Sequence, residues 1–191
     1  DSRDATSFPE PPPDLLSRLD DGVAGLRVGL LDEAGEGLDP DAAAALASTA
    51  RLLSARGATV RLLRLPRLSL GVASYYLISA AEASSNLARF DGVRFGARVA
   101  GADSSALVRA TRADGFGDEV KRRILLGTFA LSEGYRGAWY ERAQRVRARI
   151  ALDLADAFRA CDLLLSPAAP GPAFPIGART GDPLSLYLTD V

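Results

Sequence analysis

Histidine and methionine are absent from this 191-residue chain, cysteine and tryptophan occur once each, and lysine is reduced to Lys121 beside 22 arginines. These gaps remove whole chemistries. Without an imidazole there is no Ser-His-Asp or Cys-His catalysis and no histidine metal ligand. The lone Cys161 can form neither an internal disulfide nor a thiolate zinc cage. The missing methionines include the translation start, so the sequence is expected to be an excised or processed piece of a longer protein. No apolar run approaches the roughly 18 residues that span a bilayer. Residues 1–10 are neither basic nor apolar in the manner of a signal peptide. The expectation is a cytoplasmic protein without membrane association. A formal net charge of −1 gives no electrostatic basis for a broad polyanion-binding surface.

What is present is ordinary for a soluble globular protein: 48% hydrophobic and 25% charged residues. A compact chain of this length buries about 70% of its unfolded surface. Pro9, Pro11, Pro12 and Pro13 mark an extended opening segment over 1–24. From Gly25 to Pro66 the pattern is strand, helix, strand. The apolar run 26–31 precedes Asp39, a cap with Pro40 at the first helical position. Ala44, Leu46, Ala50 and Leu53 follow at helical spacing, Gly57 is the stop, and a second apolar run covers 58–63. Such a βαβ unit places its strands in parallel within a larger sheet. Residues 69–160 read as helical, with segments from Ser69, a plausible cap, to about Phe90, then over 104–113, 118–131 and from Tyr135 or Trp139 to Arg159. The last part, 161–191, holds a buried strand at 162–166, a proline-rich loop, and a helical start at Asp182-Pro183-Leu184.

Several constellations invite a chemical reading. Gly35-Glu36-Gly37 lies between a strand and a helix as a dinucleotide loop would, yet Pro40 occupies the third glycine position. Glu33, Glu36, Asp39 and Asp41 also crowd the helix start with negative charge, so a surface turn is the better reading. Ser84, Ser85 and Lys121 could supply serine–lysine catalysis, but there is no Ser-x-x-Lys spacing and the serines fall in a helical pattern whose polar positions suit solvent. Arg142, Arg145 and Arg149 share one helix face, with Arg147 nearby. Pairing with Glu141, Asp153 and Asp156 on a solvated face accounts for them better than nucleic-acid binding. Cys161, Trp139, Tyr140 and Tyr135 suit packing roles. Arg123 and Asp190 have the chemistry to grip the carboxylate and the ammonium of a small zwitterion, although pattern alone does not bring them together.

Two long segments are more specific: Glu82-Ala-Ser-Ser-Asn-Leu-Ala-Arg-Phe-Asp-Gly-Val-Arg-Phe-Gly96 and Gly115-Phe-Gly-Asp-Glu-Val-Lys-Arg-Arg-Ile-Leu-Leu-Gly-Thr-Phe-Ala-Leu-Ser132. With Asp1-Ser-Arg-Asp-Ala-Thr-Ser7, Ser166-Pro-Ala-Ala-Pro170 and Asp182-Pro-Leu-Ser-Leu-Tyr-Leu-Thr-Asp190, they resemble the A subunits of aspartyl/glutamyl-tRNA amidotransferases, in the amidase-signature family. The resemblance runs through the whole chain. It implies an α/β fold, a mixed sheet with helices on both faces, of which this chain holds the central to C-terminal part. It also implies a glutaminase that supplies ammonia within a heterotrimer. There the B subunit, with ATP and Mg²⁺, amidates misacylated Glu-tRNA(Gln) or Asp-tRNA(Asn), and a small C subunit ties the two together.

The family's Ser, cis-Ser, Lys triad sits in a Gly-Ser-rich stretch absent from this sequence, so the chain by itself is expected to be inactive and to bind no cofactor. By the same resemblance Arg123 matches an arginine that holds the glutamine α-carboxylate, and Asp190 an aspartate that holds the α-amino group. Tyr75, or less closely Tyr76, matches a tyrosine of that pocket. Thr189 stands where the family usually has Asn, and Tyr135-Arg-Gly-Ala-Trp-Tyr140 where it has Tyr-Tyr-Asp-Ala-Tyr-Tyr. A fragment of another amide hydrolase and a non-catalytic interaction module are the alternative readings.

Overall fold

The computed structural model describes residues 1, 3–32 and 37–178. Three strands, β1 (Arg27–Leu31), β2 (Thr59–Leu63) and β3 (Leu163–Leu165), form a sheet in the order β2-β1-β3. Both pairings are parallel, with Val28 opposite Val60 on one side and Leu163 on the other. The class is α/β as expected, and the described strands are parallel throughout. Helix α1 (Pro40–Ala55) links β1 to β2. Its start follows the sequence signals: the Asp39 carboxylate accepts from the Asp41 N–H, Pro40 opens the first turn, and Gly57 leaves the helix at φ +92°.

The middle of the chain is α2 (Gly71–Leu87), α3 (Ser104–Gly115), α4 (Asp118–Leu131) and α5 (Tyr140–Ala160). One start differs from expectation. Pro66 begins a 3₁₀ turn over Pro66–Leu70, and the Ser69 hydroxyl donates back to the Pro66 carbonyl at 2.9 Å instead of capping α2. A proline favours the first helical position and initiates the turn three residues early. Helix α2 also stops at Leu87, before Phe90: the chain tightens there, with Ala88 N–H donating to the Ser85 carbonyl and Phe90 N–H to the Leu87 carbonyl, both at 3.3 Å. Arg89 Nε takes the Asn86 carbonyl at 2.9 Å, and Arg112 Nη1 on α3 donates to the Leu87 and Phe90 carbonyls at 2.8 and 3.3 Å. Asp103 caps α3 through the Ala106 N–H at 2.7 Å. The helical start expected at 182–184 lies outside the described residues.

Two small packing centres result. On the sheet side Leu31, Leu65 and Ala157 are buried together with Leu63, Leu68, Leu154 and Leu164 around them. On the helical side the buried residues are mainly alanines: Ala80, Ala81, Ala130 and Ala143. Cys161 is a buried packing residue as expected, its Sγ directed at the Ala157 carbonyl. The burial expected from chain length is not reached. The chain exposes 13593 Å², against about 8,700 Å² for a compact monomer of this mass. Phe8, Leu15, Leu16 and Leu19 of the opening segment all stand in solvent.

At the end of the β1–β3 ladder, Arg27 and Asp162, 135 residues apart in sequence, add a clamp to the backbone pairing. The Asp162 carboxylate accepts from the Arg27 backbone N–H at 2.9 Å and from its guanidinium Nη2 at 2.6 Å and Nε at 3.1 Å. In return, Asp162 N–H donates to the Arg27 carbonyl at 2.8 Å, and Arg27 Nη1 donates to the Arg159 carbonyl at 3.2 Å. The Arg27 side-chain bond, then its N–H, hold the Asp162 carboxyl down at about 2, below the usual 3.8. A carboxyl depressed in the folded state stabilises above its unfolded pKa and loses that contribution as pH falls through the folded value. Asp162→Asn therefore lowers the urea midpoint at pH 6 and removes part of the parent's decline between pH 4 and 2. Identical pH slopes for the two proteins would refute the assignment.

Candidate functional site

Helices α2 and α4 pack closely because their facing residues are small. A Cβ at Gly127 would overlap the Ala80 carbonyl oxygen and lie 2.7 Å from the Ser84 Cβ. Beyond this contact, Ser84 Oγ and Thr128 Oγ1 are 3.0 Å apart. Thr128 Oγ1 donates to the Ile124 carbonyl at 2.7 Å, so Ser84 is the donor across the interface. Ser84 is thus bonded between helices, where the sequence pattern suggests solvent.

One turn to the other side, the same register brings Arg123 of α4 over the ring of Tyr76, 5.9 Å from its centroid. Tyr75 stacks edge-on against Tyr76 with centroids 5.1 Å apart. Arg123 Nε donates to Glu119 Oε1 at 2.9 Å, one helical turn back, and Arg122 Nη1 pairs with the other Glu119 oxygen. The Glu119 bond, with a smaller contribution from the Tyr75 hydroxyl, raises the Arg123 guanidinium above the ordinary arginine value despite partial burial. The site is therefore a half-buried, permanently charged planar fork, walled by two phenol rings and held by a carboxylate from its own helix. A guanidinium so placed can receive a carboxylate in bidentate fashion.

Of the residues singled out from sequence, Arg123, Tyr75 and Tyr76 are thus assembled, while Asp190 lies outside the described residues. Ser84, Ser85 and Lys121 are not: Lys121 faces Asp118 at 3.9 Å, and among the described residues no hydrogen bond joins it to either serine. Of the glycine-rich turn only Gly37 is described. Arg142, Arg145, Arg147 and Arg149 are exposed, but two of the three acids expected to pair with them do otherwise. Asp153 pairs with Arg67 of the 3₁₀ turn and Asp156 with Arg159, since each finds a guanidinium closer in space or one turn on. Tyr135 packs on Phe129 with centroids 4.6 Å apart, and Trp139 is half exposed.

Two features lie beyond the sequence reading. Glu119 carries a signal, since an acid four residues before an arginine on a helix forms a side-chain pair. The other is a cleft of about 410 Å³ lined by Ala81, Glu82, Ser85, Asn86, Leu131, Arg136 and Tyr140. Three of these, Glu82, Ser85 and Asn86, fall in the Glu82–Gly96 motif, and the Tyr140 hydroxyl accepts from Gln144 Nε2 at 2.8 Å beside it. Among the described residues no cluster of three or more acidic or cysteine side chains could hold a metal, and no helix is long and apolar enough to cross a membrane.

The sequence pattern of the amidase family matches residues 1–191. The chain belongs to the amidase family. Over its whole length this amidase chain is 50% identical to the A subunit of glutamyl-tRNA(Gln) amidotransferase from Acidobacterium capsulatum and 52% identical to that from Myxococcus xanthus. It spans 40% of the length of each of these relatives. The crystal structure of the glutamyl-tRNA(Gln) amidotransferase A subunit from Thermotoga maritima superposes with a TM-score of 0.69 at 33% identity, covering 100% of this chain and 36% of that one. The crystal structure of an amidase gives 0.62 at 27% identity over 83% of this chain and 31% of that one.

The site in this amidase chain depends on the α2–α4 spacing, which is tested at its tightest point. Alanine at 127 gains about 1 kcal/mol of helix propensity but must push Ala80 backbone aside, and overpacking costs about 1–3 kcal/mol or more. Gly127→Ala is expected to lower Tm by several degrees; an unchanged or higher Tm would show that the helices are free to separate.

Proposed function

We propose that this chain is part of the glutaminase subunit of a glutamine-dependent Glu-tRNA(Gln)/Asp-tRNA(Asn) amidotransferase, and that Arg123 receives the α-carboxylate of glutamine. The observation that carries this is the Arg123, Tyr75 and Tyr76 cluster, in a chain about half identical throughout to amidotransferase A subunits. The site has the charge and shape for one carboxylate, and aromatic walls lower the local dielectric so that the pair is stronger than in water. Asp190 is assigned the α-ammonium, completing recognition of a zwitterion by opposite charges.

In the same reading, hydrolysis of the side-chain amide is done by a serine and lysine outside these 191 residues, and the ammonia passes to a B subunit. ATP and Mg²⁺ serve that protein's activation of the misacylated tRNA, with a small C subunit joining the two larger ones in the cytoplasm. The exposed Phe8, Leu15, Leu16 and Leu19 and the sheet margins at Leu62 and Leu163 are surfaces that the remainder of a whole amidase would cover.

Two measurements test the proposal. The 191-residue chain on its own is expected to release no glutamate from glutamine, and measurable release would refute its dependence on the rest of the enzyme. In the full-length protein with its partners, Arg123→Ala removes a charge-assisted pair worth about 1.5–3 kcal/mol. Glutamine KM should rise roughly 10- to 150-fold, with kcat changed far less. An unchanged glutamine KM would favour an amide hydrolase acting on a substrate without a carboxylate at this position.

A further inference from the structure

We propose that Glu119 is a positioning residue for substrate recognition: by accepting from Arg123 Nε it fixes the plane in which the guanidinium meets the substrate carboxylate. This deepens the reading of Arg123 as the carboxylate receptor and rests on it. Glu119 stands in the first turn of α4, where the helix dipole favours a carboxylate. Its two oxygens are divided between neighbours, Oε1 to Arg123 Nε at 2.9 Å and Oε2 to Arg122 Nη1. Arg122 thereby braces the carboxylate from the other side. The bond to Nε approaches the guanidinium along the edge nearest its own stem and sets its rotation about the side-chain axis. The Tyr76 ring, 5.9 Å from Arg123 Cζ, bounds one face.

Charge supports the same division of labour. One carboxylate set between two guanidinium groups leaves this trio a net positive unit, so Glu119 orients Arg123 without cancelling the site's attraction for an anion. An aligned fork makes two hydrogen bonds to a carboxylate, whereas a rotated one makes one bond or none. Loss of alignment therefore appears in substrate affinity, and only for substrates that carry the carboxylate.

The experiment uses the full-length protein in complex with its partners. Ammonia release is followed with glutamine and with γ-aminobutyramide, the same molecule without its α-carboxylate. Glu119→Ala is expected to raise glutamine KM about tenfold with kcat within twofold of the parent, and to leave the KM for γ-aminobutyramide unchanged. Glu119→Gln, whose amide oxygen still accepts from Nε, should restore glutamine KM to within about threefold of the parent. Equal increases in KM for both substrates, or a Gln variant as impaired as the Ala variant, would overturn the positioning role. An unchanged KM in Glu119→Ala, where Arg123→Ala raises it, would overturn that role while leaving the carboxylate receptor intact. An unchanged glutamine KM in Arg123→Ala itself would instead remove the reading beneath it.

Discussion

The close approach of α2 and α4 at Gly127 and Ala80 is the constraint on which the helical half of the molecule depends. With hydrogen and methyl groups at the crossing, the helices meet nearly backbone to backbone, and residues one turn to either side are brought within reach. On one side that gives the Ser84 to Thr128 hydrogen bond, on the other the placement of Arg123 over Tyr76. A bulkier pair at the crossing would separate the helices and leave the guanidinium without its aromatic wall. The cost of this arrangement is a core with little apolar mass. Among the described residues no large side chain is fully buried, so the crossing is held by area of contact between backbones and alanines rather than by leucine or phenylalanine knobs.

The sheet half is held differently. Three short parallel strands bury few side chains, and the long separation between β1 and β3 is closed by the Arg27 and Asp162 exchange at the sheet's end. Such a clamp sets register more than it adds stability, since the pair is open to solvent and screened. Register matters here because Val28 and Leu31, buried on opposite faces of the sheet, would exchange faces on a one-residue slip. Helix α5 joins the two halves. Ala143 near its start is buried on the helical side and Ala157 near its end in the sheet-side cluster, and since α5 packs on α2, the position of the α2–α4 pair relative to the sheet is transmitted through α5.

Local signals in the sequence hold where a single residue type has a single mechanism. Asp39 with Pro40 places the start of α1, Gly57 its end, and the glycines around 115–117 the start of α4 at Asp118. The signals mislead where tertiary contacts compete with local ones. Ser69 has the chemistry of a cap but lies three residues into a turn that Pro66 has already begun. Phe90 continues the apolar spacing of α2, while the Arg89 side chain takes the Asn86 carbonyl that the Phe90 N–H would use in a continued helix and a guanidinium from α3 holds the Leu87 and Phe90 carbonyls of the turn that follows. The acids of α5 look like partners for their own helix face, yet Asp153 is claimed by Arg67, 86 positions away. At the site, resemblance supplies Arg123 and Tyr75 together. Spacing alone can supply only the Glu119 to Arg123 pair, because the crossing that joins α4 to the tyrosines is set by Gly127, a residue whose significance is the absence of a side chain.

The near exclusion of lysine gains a structural meaning from these contacts. Arg27, Arg112 and Arg123 each do two things at once with one side chain. Arg27 binds the Asp162 carboxylate and also the Arg159 carbonyl. Arg112 serves two carbonyls at the end of α2 while lying 4.9 Å from the Phe116 ring centroid. Arg123 combines a carboxylate on Nε with an aromatic face. A planar group with five donors can meet an acceptor along one edge and stack at the same time, whereas a rotating ammonium offers a point charge and no plane. In a chain with small cores and short strands, that geometry lets charged side chains fix the ends of helices and strands in place. Replacing such an arginine by lysine would preserve the charge and lose the geometry, and the losses would fall at the joints between elements rather than within them.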